Sequence, residues 1–218
     1  MCTRFAIYSS FEAIKKHTDK LKKEMEMKPN YNAAPTHKIP IILNNADENL
    51  LKAAHFGFYP FWVKNTNKAK FIINARAESV AQKPSFKSSF KRKRCLVPAN
   101  SFYEWSKPNK QPFMFSPTES DMFMMAGIYE KNVDSLGNEF LSVAVITTEP
   151  NDIVAKVHNR MPLILDEEKM KKWLFFNTKE DELQRIMTTY PNEKMSIQRV
   201  SKEVNSPKNN YESLLEGI

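Results

Sequence analysis

Glycine is scarce in this chain, with four residues in 218. So few leave no Gly-rich loop to cradle phosphates, which removes the P-loop and Rossmann dinucleotide readings. Cysteine is scarcer still: Cys2 and Cys95 stand far apart and form no C-x-x-C pair. Neither a disulfide framework nor a cysteine-rich zinc site is expected, and a reducing compartment is. No window approaches the 18 consecutive apolar residues of a membrane-spanning helix. The N-terminus also lacks the basic-then-apolar pattern of a signal peptide. No repeat of 20–50 residues and no linker divides the chain.

What is present is the composition of a globular domain: 41% hydrophobic and 27% charged residues, with 15 Phe and 3 Trp. A chain of this length can bury a real core. Lys and Arg outnumber Asp and Glu by 33 to 25, giving a net charge of +8. Such an excess suits a polyanion such as nucleic acid, through counterion release at phosphates, although many basic proteins bind none.

Apolar periodicity predicts a strand over 5–9, then a helix over 11–27 capped by Ser9 or Ser10, with Phe11, Ile14, Leu21 and Met25 at helical spacing. Strands are predicted over 39–43 and 50–58, separated by a polar 44–49 connection. The second runs into an aromatic segment, Phe56–Trp62, that suits either core packing or stacking on bases. Phe86 and Phe90 place one aromatic stripe on a helix within the basic run 83–94, read as a charged rim. Further strands are expected over 95–99, 102–105, 112–116, 122–130, 140–148, 163–165 and 195–200. Helices follow Asp166 and a Thr178/Asp181 capping box, over 167–176 and 179–189. The fold class is α+β: one domain over 1–200, a bent or barrel-like antiparallel sheet with peripheral helices, and a Ser-, Pro- and Asn-rich tail over 201–218.

Candidate chemistry begins at Cys2. Once Met1 is removed, residue 2 carries an amine and a thiol two carbons apart, a pair that condenses with an aldehyde to an imine and then a thiazolidine. A cysteine there can equally be a small apolar residue at the start of a strand. Glu104 lies between Tyr103 and Trp105 and is a candidate for a raised pKa. Simple strand alternation instead points it to water while its aromatic neighbours pack inward.

Taken together, Met1-Cys2-Thr3-Arg4, Asn74-Ala75-Arg76-Ala77-Glu78, Phe102-Tyr103-Glu104-Trp105 and His158-Asn159-Arg160-Met161-Pro162 resemble the motifs of the SOS response-associated peptidase family, also described as abasic-site processing proteins. The 31–36 turn and the 57–62 segment match that family as well. The resemblance covers roughly residues 2–200. It departs at Thr3 and Ser101, where the family usually has glycine.

The resemblance implies covalent capture of abasic sites in single-stranded DNA, with lyase activity and self-cleavage to expose the cysteine. By matching position, Cys2 would be the nucleophile, Asn74 would orient the sugar or amine, Glu104 would act as acid/base and His158 would move a proton. Arg76 and Arg160, with Arg4 as a helper, would hold phosphates, and Trp62 and Trp105 would stack on bases. No metal or cofactor, no membrane and a monomeric state are expected, in the cytoplasm on nucleoid DNA, or in a eukaryotic nucleus. Two other readings are a thiol peptidase using Cys2 with His158, and a basic aromatic module that binds single strands non-covalently.

Overall fold

Alternating apolar residues broken by polar and proline-containing turns fold here mainly as strands. A computed structural model describes residues 2–45 and 48–218; Met1 and two residues of the predicted 44–49 connection, Ala46 and Asp47, lie outside the described residues. In chain order the first half runs β1 (Phe5–Ile7), α1 (Phe11–Lys15), β2 (Leu21–Lys23), β3 (Asn30–Ala33), β4 (Lys38–Asn45), β5 (Glu48–Phe56), β6 (Asn74–Arg76) and α2 (Pro84–Arg92). It continues through β7 (Arg94–Ala99), β8 (Ser101–Trp105), β9 (Pro112–Pro117), β10 (Phe123–Val133) and β11 (Glu139–Thr148). The last elements are α3 (Asp152–Ala155), β12 (Met161–Pro162), α4 (Glu167–Leu174), α5 (Glu180–Ile186) and β13 (Met195–Arg199).

One sheet is antiparallel throughout, in the order β13-β9-β8-β1-β3. The other runs β12-β11-β10-β7-β4-β5-β2, and β5 returns to pair with β11, placing His55 opposite Ser142 and Phe56 opposite Val143. That seam closes β11-β10-β7-β4-β5 into a five-stranded barrel. Closure removes exposed edges from the ring, as expected for a barrel-like sheet. The seam itself is parallel, so the barrel is mixed rather than purely antiparallel. Gly127 of β10 faces Cys95 of β7, where an added Cβ would lie 2.9 Å from the Cys95 Sγ. Glycine permits that close approach.

The main core packs aromatic and aliphatic residues of both sheets with α2 and α4, including Phe56, Phe58, Phe90, Leu96 and Trp173. A smaller core joins Ala6, Tyr103 and Met114 to Val200, Val204 and Leu214. Among the described residues no helix is long and apolar enough to cross a membrane.

Several expectations are corrected. The predicted 11–27 helix stops at Lys15, capped as expected by the Ser10 hydroxyl. Lys20 takes a left-handed φ of 50°, and Leu21–Lys23 then runs parallel to Asn49–Leu51 of β5. Apolar spacing alone could not see that strand partner. Residues 163–165 form no regular strand; past Pro162 the chain crosses from Ile146 to an isolated bridge between Ile164 and Met125, with Leu163 and Leu165 hydrogen-bonded to its neighbours. Thr178 caps nothing, because its hydroxyl donates to the Lys172 carbonyl and α5 begins at Glu180 after Lys179. The basic rim loses Arg94, whose buried guanidinium donates to the carbonyls of Phe90 and Lys91 and of Trp173 and Phe175, tying the ends of α2 and α4 together. Residues 201–218 do not hang free. They make two short 3-10 turns and bury Val204 and Leu214 in the smaller core.

Candidate active site

Strand β11 organises the site. Its Val145–Thr147 stretch pairs with β6, setting Asn74 beside Val145 and Arg76 beside Thr147. On its other side Thr147 and Thr148 pair with Pro162 and Met161 of β12. The turn leading into β12 carries His158 and Arg160. Asn151 caps α3 through its side-chain oxygen, and His158 N–H then donates to Val154 O at 2.8 Å, fixing the turn. Residues some 80 positions apart in sequence therefore meet along one strand.

The antiparallel sheet brings in the rest. Phe5 of β1 pairs with Phe102 of β8, and Tyr103 N–H donates to Arg4 O at 3.0 Å, so the segment carrying Cys2 runs beside the strand carrying Glu104. Asn74 bridges the two sheets: its Nδ2 donates to Cys2 O at 2.9 Å. Among the described residues the Asn74 Oδ1 is buried without a hydrogen-bond partner. An acceptor held this way is costly unless something supplies a donor.

Glu104 is 2% exposed, which overturns the water-facing alternative from alternation. The turn that carries His158 packs against the Glu104 side of β8 and closes that face from water. Burial raises the Glu104 pKa from 4.5 to about 7. Its Oε2 lies 3.9 Å from Nδ1 of His158. That Nδ1 is also 3.1 Å from the Arg160 N–H, which donates to it in the neutral Nε2–H tautomer. Burial holds the histidine below its ordinary pKa. At neutral pH the carboxyl therefore stands near its titration midpoint, opposite an imidazole that burial keeps largely uncharged. The Cys2 thiol is fully buried, and burial pushes its pKa well up, with the Glu104 charge adding to the effect. A neutral thiol rather than a resting thiolate occupies the site.

The arginines divide into three kinds. Arg76 is exposed. Arg160 is held by a two-point contact with Glu78, at 2.7 and 3.0 Å, and donates to Thr147 O. Arg4 turns away from such roles and donates to Asn32 and to the carbonyls of Val204 and Asn205. Trp62 is 48% exposed and packs edge-on against the still more exposed Phe61. Trp105 is half-buried and lies under the Arg4 guanidinium.

Sequence reasoning passed over the residues that support these groups. Asn132 and Ser142, buried in neighbouring barrel strands, hydrogen-bond each other and hold both the N–H and the carbonyl of Tyr59, anchoring the loop that presents Phe61 and Trp62. Glu78 and Asn32 lie within the matched 74–78 and 31–36 segments but were given no role there. The only signal was a polar residue in a strand or beside a motif arginine.

The family model for SOS response associated peptidase (SRAP) matches residues 1–207. The chain belongs to the SRAP family. It is 40% identical over 222 residues to the abasic site processing protein YoqW of Bacillus subtilis (strain 168), covering 99% of each chain. To the abasic site processing protein HMCES of Xenopus tropicalis it is 32% identical over 225 residues, spanning 87% of this chain and 66% of that one. Among solved structures, a protein of Bacteroides thetaiotaomicron superposes with a TM-score of 0.88 at 26% identity, covering both chains fully. A phage-related protein of Bordetella bronchiseptica shares the fold, with a TM-score of 0.74 at 23% identity over 92% of this chain and 95% of that one. The SRAP fold expectation is thereby met.

Proposed function

We propose that this SRAP chain processes abasic sites in single-stranded DNA by capturing the sugar aldehyde on Cys2, in a compartment shared with DNA. The observation that carries the reading is the convergence of Cys2, Asn74, Glu104 and His158 on one site, with Asn74 bonded to the Cys2 carbonyl and Glu104 beside His158. The names of the relatives point to the same substrate.

Removal of Met1, which lies outside the described residues, would set a free amine on Cys2. Glu104, poised near neutrality, protonates and deprotonates the sugar oxygens to open the closed hemiacetal, a transfer that typically contributes about 10²–10⁴-fold. The amine adds to the aldehyde carbon and water leaves, giving an imine. The Cys2 sulfur then bonds to that carbon while its proton passes to the imine nitrogen. The thiazolidine and one water balance the reactants. A protonated thiol is suited to this order, since it delivers its proton as the ring closes. The imine also acidifies the adjacent sugar carbon, so loss of the 3′ phosphate by β-elimination accompanies capture as a lyase side reaction. His158, uncharged, accepts or returns the proton, and Asn74 orients the N-terminal residue. Exposed Arg76 meets a phosphate through its guanidinium fork, Arg160 joins it by exchanging its Glu78 contact for one, and Trp62 stacks on an unpaired base.

The test is the intact mass of the purified protein with and without an abasic single-stranded oligonucleotide. Protein lacking Met1 should gain the mass of the oligonucleotide less one water, or of its 5′ fragment where β-elimination has followed, and Cys2→Ala should gain nothing. An adduct surviving Cys2→Ala, or no adduct on protein with a free Cys2 amine, refutes the reading.

A further inference from the structure

The C-terminal segment and the nucleophile are wired together more closely than any role assigned so far requires. We propose that residues 201–210 form a strap that holds Cys2 and Glu104 in reacting register, and that Arg4, Asn32 and Asn205 are positioning residues rather than DNA contacts. The proposal rests on the abasic-capture reading.

Asn32 is fully buried, and its amide is fully used. Its oxygen accepts from Arg4 Nη1 at 2.7 Å, and its nitrogen lies 2.9–3.1 Å from the carbonyls of Val204, Ser206 and Asn209. Arg4 spans the same junction, with Nη1 also at 2.6 Å from Val204 O and Nη2 at 3.1 Å from Asn205 O. Its guanidinium stands 5.8 Å over the Trp105 ring, and the Trp105 Nε1–H donates to Asn205 Oδ1 at 2.6 Å. Tyr31 N–H donates to Asn210 Oδ1 at 2.7 Å. The strap thus grips the chain two residues after Cys2 and one residue after Glu104. Below it, Val204 and Leu214 pack on Ala6 and Tyr103, the neighbours of those two positions in β1 and β8.

Two physical points follow. A guanidinium is a rigid planar fork, and both of the Arg4 terminal nitrogens already donate to fixed oxygens. Lysine keeps the charge but cannot reproduce that geometry. Reacting groups are also sensitive to placement, a displacement of about 1 Å lowering rates by about 10²-fold. Loosening the strap should therefore slow capture without weakening DNA binding.

The experiment uses the full chain with Arg4→Lys, Arg4→Ala and Asn205→Ala; Asn205 is exposed, so its replacement leaves folding intact. Three quantities are read: the single-turnover rate of crosslinking to an abasic oligonucleotide, the affinity and salt dependence for an oligonucleotide carrying a tetrahydrofuran analogue without an aldehyde, and the rate of iodoacetamide alkylation mapped to Cys2. Arg4→Lys should slow crosslinking by about 10- to 100-fold, with a smaller loss in Asn205→Ala. Both should alkylate faster at Cys2 than wild type, while affinity and salt slope for the analogue stay unchanged. Wild-type crosslinking in Arg4→Lys overturns the proposal, as does a salt slope that falls by about 0.7 in Arg4→Ala, the mark of a lost phosphate contact on a single strand. If the wild type forms no crosslink, the abasic reading fails on its own. The alkylation rates still judge the strap, and unchanged rates in all three variants refute it.

Discussion

Replacing Glu104 by glutamine removes one titration and leaves the shape of the site. In the folded protein this carboxyl keeps its proton up to about pH 7, whereas the unfolded chain releases it near 4.5. Between those values the folded state binds the extra proton, so stability falls as pH rises. The full difference corresponds to about 3 kcal/mol, present below pH 4.5 and gone once pH passes 7. Glutamine carries no charge at any of these values, so Glu104→Gln should match the wild type near pH 4.5 and exceed it by up to about 3 kcal/mol at pH 8. Urea unfolding at half-unit pH steps measures this through the midpoint at constant m. The same substitution removes the acid/base group and should slow crosslinking by about 10²–10⁴-fold, erasing the bend near pH 7 in the rate profile. Gaining stability while losing activity is the signature of a strained functional group. Parallel stability curves for the two proteins would show that burial does not raise this pKa, and the acid/base assignment would fall with it.

Other outcomes are expected elsewhere. Arg76→Ala should weaken single-strand binding and lower the log–log salt slope by about 0.7, the value for one phosphate contact on a single strand; fluorescence anisotropy at several salt concentrations reads both. Gly127→Ala forces a methyl to within 2.9 Å of the Cys95 sulfur and should destabilise the barrel by about 1–3 kcal/mol in thermal unfolding. In the native wild type, iodoacetamide should reach Cys2 far more slowly than in urea at the same pH, because the thiol is fully buried and its pKa is raised.

Much of the architecture was legible because it is local. The Ser10 and Asp166 caps and the Phe86/Phe90 stripe each announce themselves within a few residues, and each appears where expected. What sequence could not supply was partnership over distance. Leu21 suits a helix face as well as a strand, and only β5 decides between them. Glu104 suits a water-facing position until the turn carrying His158 packs over it. Nothing near Arg4 in the sequence tells that residues 204 and 205 supply acceptors for it. The site residues were found through motifs, whereas the residues supporting them are ordinary asparagines, serines and glutamates whose meaning depends on a neighbour up to 177 positions away.

The position of β1 has a consequence for the life of the chain before it is complete. Its hydrogen-bonding edges are β3 on one side and β8 on the other, and the contacts above it come from residues beyond 200. Synthesis adds about 5–20 residues per second. The stretch behind Cys2 therefore waits roughly 5–20 s for the residues of β8 and roughly 10–40 s for the strap. For that interval β3 (Asn30–Ala33) is the one strand partner that β1 can find. Burial of the Cys2 thiol is thus completed late, by parts of the chain far downstream of it.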